Sequence, residues 1–293
     1  MKLVPIQFHK VSNCTVLFTP NLSGQEDPMY DLTPLNIFLA TLLVMINGFI
    51  SFSLSLNLEK RLLLASIRTV VQLLLIGMIL EWIFELSWWP VILLLMFSMT
   101  LIASLTAVQR SQRRFPGIWL NSIIAVFVSS WLVSGFALTV IIPPHSWSEN
   151  PAQYLIPLLG MILGNTLNGI SLGLDRLSEE LVMRKGEVEL RLSLGATRNE
   201  AAREALQNAV RSGMTPIINS MMVVGLVSLP GLMTGQILAG ASPLESVKYQ
   251  IVVMFLIASG TALGTVISVL LGYRRLFNSR HQFLFERITR VDK

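Results

Sequence analysis

Seven apolar stretches set the terms for what this chain can fold into. A helix that crosses a bilayer needs about 20 largely apolar residues. Pro34–Leu56, Leu62–Leu80, Trp88–Val108, Gly117–Ile142, Tyr154–Leu174, Thr215–Gly240 and Val247–Tyr273 each meet that need. A soluble core cannot bury all of them. Only 13% of the 293 residues are charged and mean hydropathy is +0.64, against roughly 25% charged in a soluble domain. Disorder is excluded by the same abundance of apolar side chains, and a disulfide scaffold by the single cysteine, Cys14. The expected fold class is all-α: a polytopic membrane protein with seven transmembrane helices, residues 34–273 forming one membrane domain.

Basic residues collect on the cytoplasmic side of membrane proteins. Lys60 and Arg61, then Arg110, Arg113 and Arg114, then the segment 175–214 and the tail 274–293 all fall on one side of the seven spans. Lys2, Lys10 and Lys248 fall on the other, and Arg68 lies within a span. The split is 18 against three. It predicts an outside N-terminus, a cytoplasmic C-terminus and an odd number of spans in a cell membrane. The net charge of +5 therefore expresses topology and calls for no nucleic acid. Residues 1–33 are polar and hold three prolines, so an extracytoplasmic tail is expected, without a cleaved signal.

Polar groups inside spans are costly and should face the bundle interior or a wet cavity. The second span carries Arg68 and Gln72, one turn apart on one face. The fifth carries Asn165 and Asn168, and the sixth Asn219, Ser220, Thr234 and Gln236. The run Gly225-Leu-Val-Ser228-Leu-Pro230-Gly231 sits near the middle of the sixth span. Pro230 removes an amide donor and clashes with the preceding turn, so this helix is expected to kink or break. Transporters often place substrate sites at such breaks. Met221, Met222 and Met233 lie nearby, and thioethers can ligate soft cations or simply fill space. The candidate translocation residues are Arg68, Gln72, Asn165, Asn168, Asn219, Ser228, Pro230, Gly231, Met233 and Gln236. Glycine pairs four apart, Gly160/Gly164, Gly169/Gly173, Gly231/Gly235 and Gly260/Gly264, predict close helix packing.

Segment 175–214 is the one long soluble connector, with seven basic and seven acidic residues. Asn199–Gly213 reads as a helix with Ala202, Leu206, Ala209 and Gly213 on one face. Before it stands a short amphipathic run, Glu189-Leu-Arg191-Leu192-Ser193-Leu194-Gly195-Ala196-Thr197, suited to a membrane surface or a cytoplasmic partner. There is no Gly-x4-Gly-Lys-Ser/Thr loop, no His-Glu-x2-His and no Gly-x-Ser-x-Gly elbow. No catalysis is expected in this chain, and any ATP hydrolysis falls to another subunit.

Six segments carry a family resemblance: Arg68-Thr-Val-Val-Gln72-Leu, Gly160-Met-Ile-Leu-Gly164-Asn165, Leu192-Ser-Leu-Gly-Ala-Thr197, Gly225–Gly235, Lys248-Tyr-Gln-Ile and Asn278-Ser-Arg-His-Gln282. In this order the chain resembles the FetB-type permeases of ABC transporters, a family with bacterial iron exporters and plant aluminium-tolerance relatives. The resemblance implies a homodimeric permease in the lipid bilayer, bound to two ABC ATPase subunits that carry ATP and magnesium, with no cofactor in this chain. It implies that Glu189–Thr197 forms the ATPase-coupling segment: Glu189, Arg191, Leu192, Ser193, Leu194, Gly195, Ala196 and Thr197. Importer permeases have a Glu-Ala-Ala-x3-Gly loop. Here Leu190 and Arg191 replace its alanines, and its downstream Ile-x-Leu-Pro is missing, which weakens an importer reading. Iron as substrate rests on the resemblance alone, and a sugar nucleotide remains an alternative. An ATP-independent channel or carrier is a further alternative, but a proton-coupled carrier would place a carboxylate near the midplane. Glu81 and Glu85 lie at the end of the second span, and no acidic residue sits deeper.

Overall fold

The computed structural model describes residues 33–56, 58–86, 88–148, 150–278, 280 and 282–290. Cys14 and the expected tail up to residue 32 lie outside the described residues. The chain is almost wholly helical, in the order α1 (Pro34–Ser53), α2 (Glu59–Leu86), α3 (Trp89–Arg110), α4 (Ile118–Phe136), α5 (Pro144–Trp147), α6 (Pro151–Met183), α7 (Lys185–Ser193), α8 (Arg198–Val223), α9 (Gly231–Leu238) and α10 (Pro243–Leu276). A π-helical stretch, Ala137–Ile141, continues α4. Strands β1 (Arg113–Arg114) and β2 (Thr289–Arg290) pair antiparallel. Four of the long helices, α1, α3, α6 and α10, begin with proline at the first or second position. There the missing amide costs nothing and the fixed φ suits the helix.

Six helices, α1 to α4, α6 and α10, are long and apolar enough to cross a membrane. The seventh expected span, Thr215–Gly240, is not a single helix. α8 starts at Arg198 and runs through Thr215 without a stop. It ends at Val223, and the chain resumes helix only at Gly231. The expected break is therefore present, and it separates two helices. The connector 175–214 is also more helical than a loop. α6 carries on to Met183 because its charges satisfy one another along the helix: Arg176 pairs with Glu179 and Glu180, and Arg184 with Glu180.

The core lies among α3, α4, α6, α8 and α10, with α6 and α10 at its centre. These two helices, of 33 and 34 residues, are about 50 Å long at 1.5 Å per residue. They exceed a hydrocarbon core of about 30 Å and project beyond it. Close approach rests on small residues. A Cβ on Gly169 would lie 2.6 Å from side-chain atoms of Thr261 and Thr265 on α10, and one on Gly264 would lie 2.5 Å from Thr166 on α6. Gly213 of α8 meets the Gly169 backbone at the same junction. Hydroxyls add interhelical bonds: Ser122 Oγ donates to the Ser104 carbonyl over 2.9 Å, and Trp131 Nε1 donates to Thr100 Oγ1 over 3.1 Å. By contrast, α1 and α2 form a hairpin whose apolar side chains are almost all exposed.

Candidate coupling surface and membrane-embedded site

The segment expected to couple folds into a helix, a stop and a restart. α7 ends in a C-terminal motif that needs a left-handed residue. Gly195, with φ of +92°, supplies it at no steric cost. The Gly195 amide donates to the Leu192 carbonyl over 3.1 Å, and the Ala196 amide to the Arg191 carbonyl over 3.0 Å. Both bonds satisfy carbonyls that the helix end leaves open. Thr197 then caps α8. The Glu200 amide donates to Thr197 Oγ1 over 3.4 Å, and the Thr197 amide donates to Glu200 Oε2 over 2.7 Å, a reciprocal capping box. The Thr197 amide, joined by the Thr197 hydroxyl donating to Glu200 Oε2 over 2.8 Å, holds the Glu200 carboxyl below the usual carboxylate range. Leu192 to Thr197 is thus a rigid hinge between two helices.

Arginine–glutamate pairs tie α7 to its neighbours. Arg191 Nη2 lies 2.5 Å from Glu187 Oε1 on its own helix and 3.2 Å from Glu204 Oε1 on α8. Arg184, at the α6–α7 junction, also pairs with Glu204 and lies 3.1 Å from Glu180 Oε2. The Arg184 hydrogen bond, followed by that from Arg191, holds the Glu204 carboxyl below its ordinary range. Val188 is buried, and Leu192 packs inward against the core. Leu190 and Leu194 instead stand 58% and 79% exposed, with Met183 also exposed. Large apolar side chains have been left open on the most charged part of the molecule. Glu189, Leu192 and Ser193 also form one wall of a cleft of about 530 Å³ whose other wall is Arg280, Gln282, Phe283 and Leu284 of the tail. The tail is folded back: Phe277 is buried and stacks on Phe283 at 5.2 Å, and Lys185 sits 4.1 Å over the Phe285 ring.

The candidate translocation residues are distributed over several surfaces. Arg68 and Gln72 stand exposed on α2, in the peripheral hairpin. Asn168 accepts from Arg110 Nη1, and Asn165 Nδ2 donates back to the Met161 carbonyl over 3.0 Å. Asn219 is exposed on α8. Ser228, Pro230 and Gly231 build the break. Gly225, with φ of +81°, turns the chain, and its amide donates to the Ser228 carbonyl over 2.9 Å. Pro230 caps α9, receiving the Thr234 amide over 3.0 Å. Leu226 and Val227 at the tip of this loop are 87% and 85% exposed. Below the loop, Met233 joins Met221 and two residues of α10, Gln250 and Met254, around a cavity of about 540 Å³. Gln236, one turn on from Met233, keeps a buried side-chain oxygen without a partner. Gln250 and Met254 were not among the expected residues. Their i, i+4 spacing on one face of α10 is the signal that could have marked them.

Comparison with known proteins agrees with this architecture. Residues 34–277 match the family described as "Uncharacterised protein family (UPF0014)". The chain is 42% identical over 233 residues to the UPF0014 membrane protein slr1647 of Synechocystis, covering 78% of this chain and 88% of that one. It is 34% identical over 259 residues to the "Probable iron export permease protein FetB" of Escherichia coli, covering 88% and 98%. It is 31% identical over 245 residues to the protein ALUMINUM SENSITIVE 3 of Arabidopsis thaliana, covering 83% and 87%. No solved structure matches the chain. With six helices of membrane-spanning length and relatives of nearly equal extent, the chain is a multi-pass membrane protein and belongs to the UPF0014 family.

Proposed function

We propose that this chain is the membrane permease subunit of an ABC transporter that exports a metal ion such as iron, working as a homodimer with separate ATPase subunits. The observation that carries the reading is the α7 surface. Leu190 and Leu194 are exposed beside a hinge that is capped at both ends and ion-paired to α6 and α8. Exposed apolar groups inside a polar rim are the anatomy of a protein interface, and a rigid mount lets the docked partner move the spans. ATP and magnesium belong to that partner, and the segment from Glu189 to Thr197 receives its motion.

The same reading places seven crossings, the α8–α9 pair counting as one broken span, with the N-terminus outside and α7 in the cytoplasm. Irregular backbone at membrane depth must be covered by protein or by water. The exposed loop of Leu226 and Val227 and the uncovered α1–α2 hairpin are the surfaces a second copy would meet. Iron comes from the name of the Escherichia coli relative.

Purification in mild detergent tests the proposal. An ABC ATPase should copurify in stoichiometric amount, and Leu194→Glu should release it while leaving membrane insertion intact. A purified chain that transports without any ATPase would overturn the reading. Sealed vesicles loaded with iron or with UDP-glucose separate the metal substrate from a sugar nucleotide.

A further inference from the structure

The cavity beneath the helix break has an unusual donor set. Met221 comes from the last turn of α8, Met233 from α9 and Met254 from α10, so three separate helices each direct a methionine to one space. Gln250 lines it from α10. This side chain is only 7% exposed, and its carbonyl oxygen has no hydrogen-bond partner. Buried polar atoms are almost always satisfied, so an orphaned oxygen on a residue that lines a cavity points to a missing donor or cation. Gln236 on α9, outside the cavity lining, also keeps a buried side-chain oxygen without a partner. No carboxylate, imidazole or thiolate lines the space, and no cluster of such groups exists among the described residues.

We propose that this cavity binds a soft monovalent cation of the copper(I)/silver(I) class, through the thioethers of Met221, Met233 and Met254 with the Gln250 side-chain oxygen as an oxygen donor. Thioethers select soft ions, whereas carboxylates and water suit hard ones. Neutral donors also favour a single positive charge over two, because nothing in the site offsets the second. Three separate helices supply the sulfur atoms, so relative movement of α8, α9 and α10 changes the site's geometry. A cation held there is released when the helices part. The proposal rests on the permease reading for the movement of the ion, and at this site it puts a soft monovalent cation in place of the iron that the relative's name suggests.

The binding step is testable without transport or a partner. The full chain carrying Cys14→Ser, which removes the competing thiol, is labelled with ¹³C at its methionine methyl groups and placed in lipid nanodiscs. Silver(I) is then titrated, as a stand-in for copper(I) that does not change redox state. Three methyl resonances, lost in turn in Met221→Leu, Met233→Leu and Met254→Leu, should move together and saturate at one silver per chain. Each single variant should weaken binding at least tenfold, and Gln250→Leu several-fold. Met45→Leu and Met78→Leu, on the exposed faces of α1 and α2, should leave it unchanged. Leucine nearly matches methionine in volume, and four independent variants guard against loss of one to misfolding. First response at the exposed methionines, or unchanged affinity in the triple Met→Leu variant, would overturn the site. Iron(II) competing on equal terms would overturn the soft-cation class. None of these outcomes touches the copurification of an ATPase, so the two readings fail separately.

Discussion

Replacing Gly213 by alanine tests one of the tightest helix contacts among the described residues. The added methyl carbon would sit 2.5 Å from the Gly169 carbonyl oxygen of α6 and 2.5 Å from Thr265 Cγ2 of α10. Ordinary contacts between heavy atoms run near 3.5 Å, so α8 must withdraw by about 1 Å. A gap of that size forfeits a quarter to a half of each dispersion contact along the seam. Overpacking of this kind costs about 1–3 kcal/mol. The upper end applies because a backbone carbonyl cannot rotate aside. Alanine returns about 1 kcal/mol of helix propensity, leaving a net loss of about 2 kcal/mol. Gly164→Ala is the matched control, since nothing lies within 4 Å of its added Cβ. It should gain up to about 1 kcal/mol. The two variants should therefore differ by about 3 kcal/mol, or roughly 6–12 °C in melting temperature for a chain of this size. Thermal unfolding of the purified chain in mild detergent, followed by circular dichroism, measures the difference. Melting temperatures within 2 °C of each other would refute the argument that the α6–α8–α10 junction sets the spacing of the bundle.

Three further outcomes follow from the α7 hinge. Gly195→Val should cost about 1–2 kcal/mol, because a side chain at φ of +92° strains the backbone, although the space around it is open. Membrane insertion should survive while ATP-coupled transport falls, and Gly195→Asn should retain more activity than Gly195→Val. Thr197→Ala removes one half of the capping box and should cost about 1 kcal/mol, seen as faster hydrogen exchange in the first turn of α8. Glu204 has a folded pKa depressed by Arg184 and Arg191. Its contribution is therefore complete above the ordinary glutamate value, about 4.3, and lost as pH falls through the lower folded value. Hydrogen-exchange protection of α7 should drop over that acidic window, and in Glu204→Gln it should already be reduced at neutral pH.

Hydropathy located the membrane helices well because lipid leaves the chain few alternatives. It divided α8 in two: the periodic helix expected from Asn199 begins within a residue of the observed start at Arg198, but it runs on past the hydropathy boundary at Thr215 as one helix, its start set by Thr197 and Glu200. The break was legible because Pro230 and the neighbouring glycines act locally. The glycine pairs were only partly informative. Gly169, Gly173, Gly260 and Gly264 lie against neighbouring helices, while Gly164, Gly231 and Gly235 meet nothing within 4 Å. A glycine shows that approach is permitted, and the partner surface comes from tertiary structure. The exposure of Arg68 and Gln72 on a peripheral hairpin had no local signal, since it depends on where α2 sits. Gln250 and Met254 were marked only by their i, i+4 spacing on α10, and the space they line is closed by α8 and α9. The return of the tail was hinted at by Phe277, Phe283 and Phe285, whose density in a basic segment exceeds what a solvated tail needs.

The α7–α8 hinge and the break flank one continuous helix. α8 runs 26 residues from its cap at Thr197 to Val223, about 39 Å at 1.5 Å per residue. Its near end is fastened to α7 by Glu204 and its far end opens directly into the loop of Gly225 and Pro230. Between them, Ala202, Ala205, Ala209 and Gly213 are buried, small side chains that allow α8 to slide along α6 without unlocking large interdigitated groups. Tyr273 of α10 bonds Asn199 at the base of α8, so α10 registers displacement there as well. On the proposed reading, a push on Leu190 and Leu194 is passed along α8, a single helix despite its internal Pro216, to the place where α8, α9 and α10 line the methionine cavity. On the permease reading proposed above, work done on α7 by a docked ATPase reaches α9 and α10 only if the hinge does not bend.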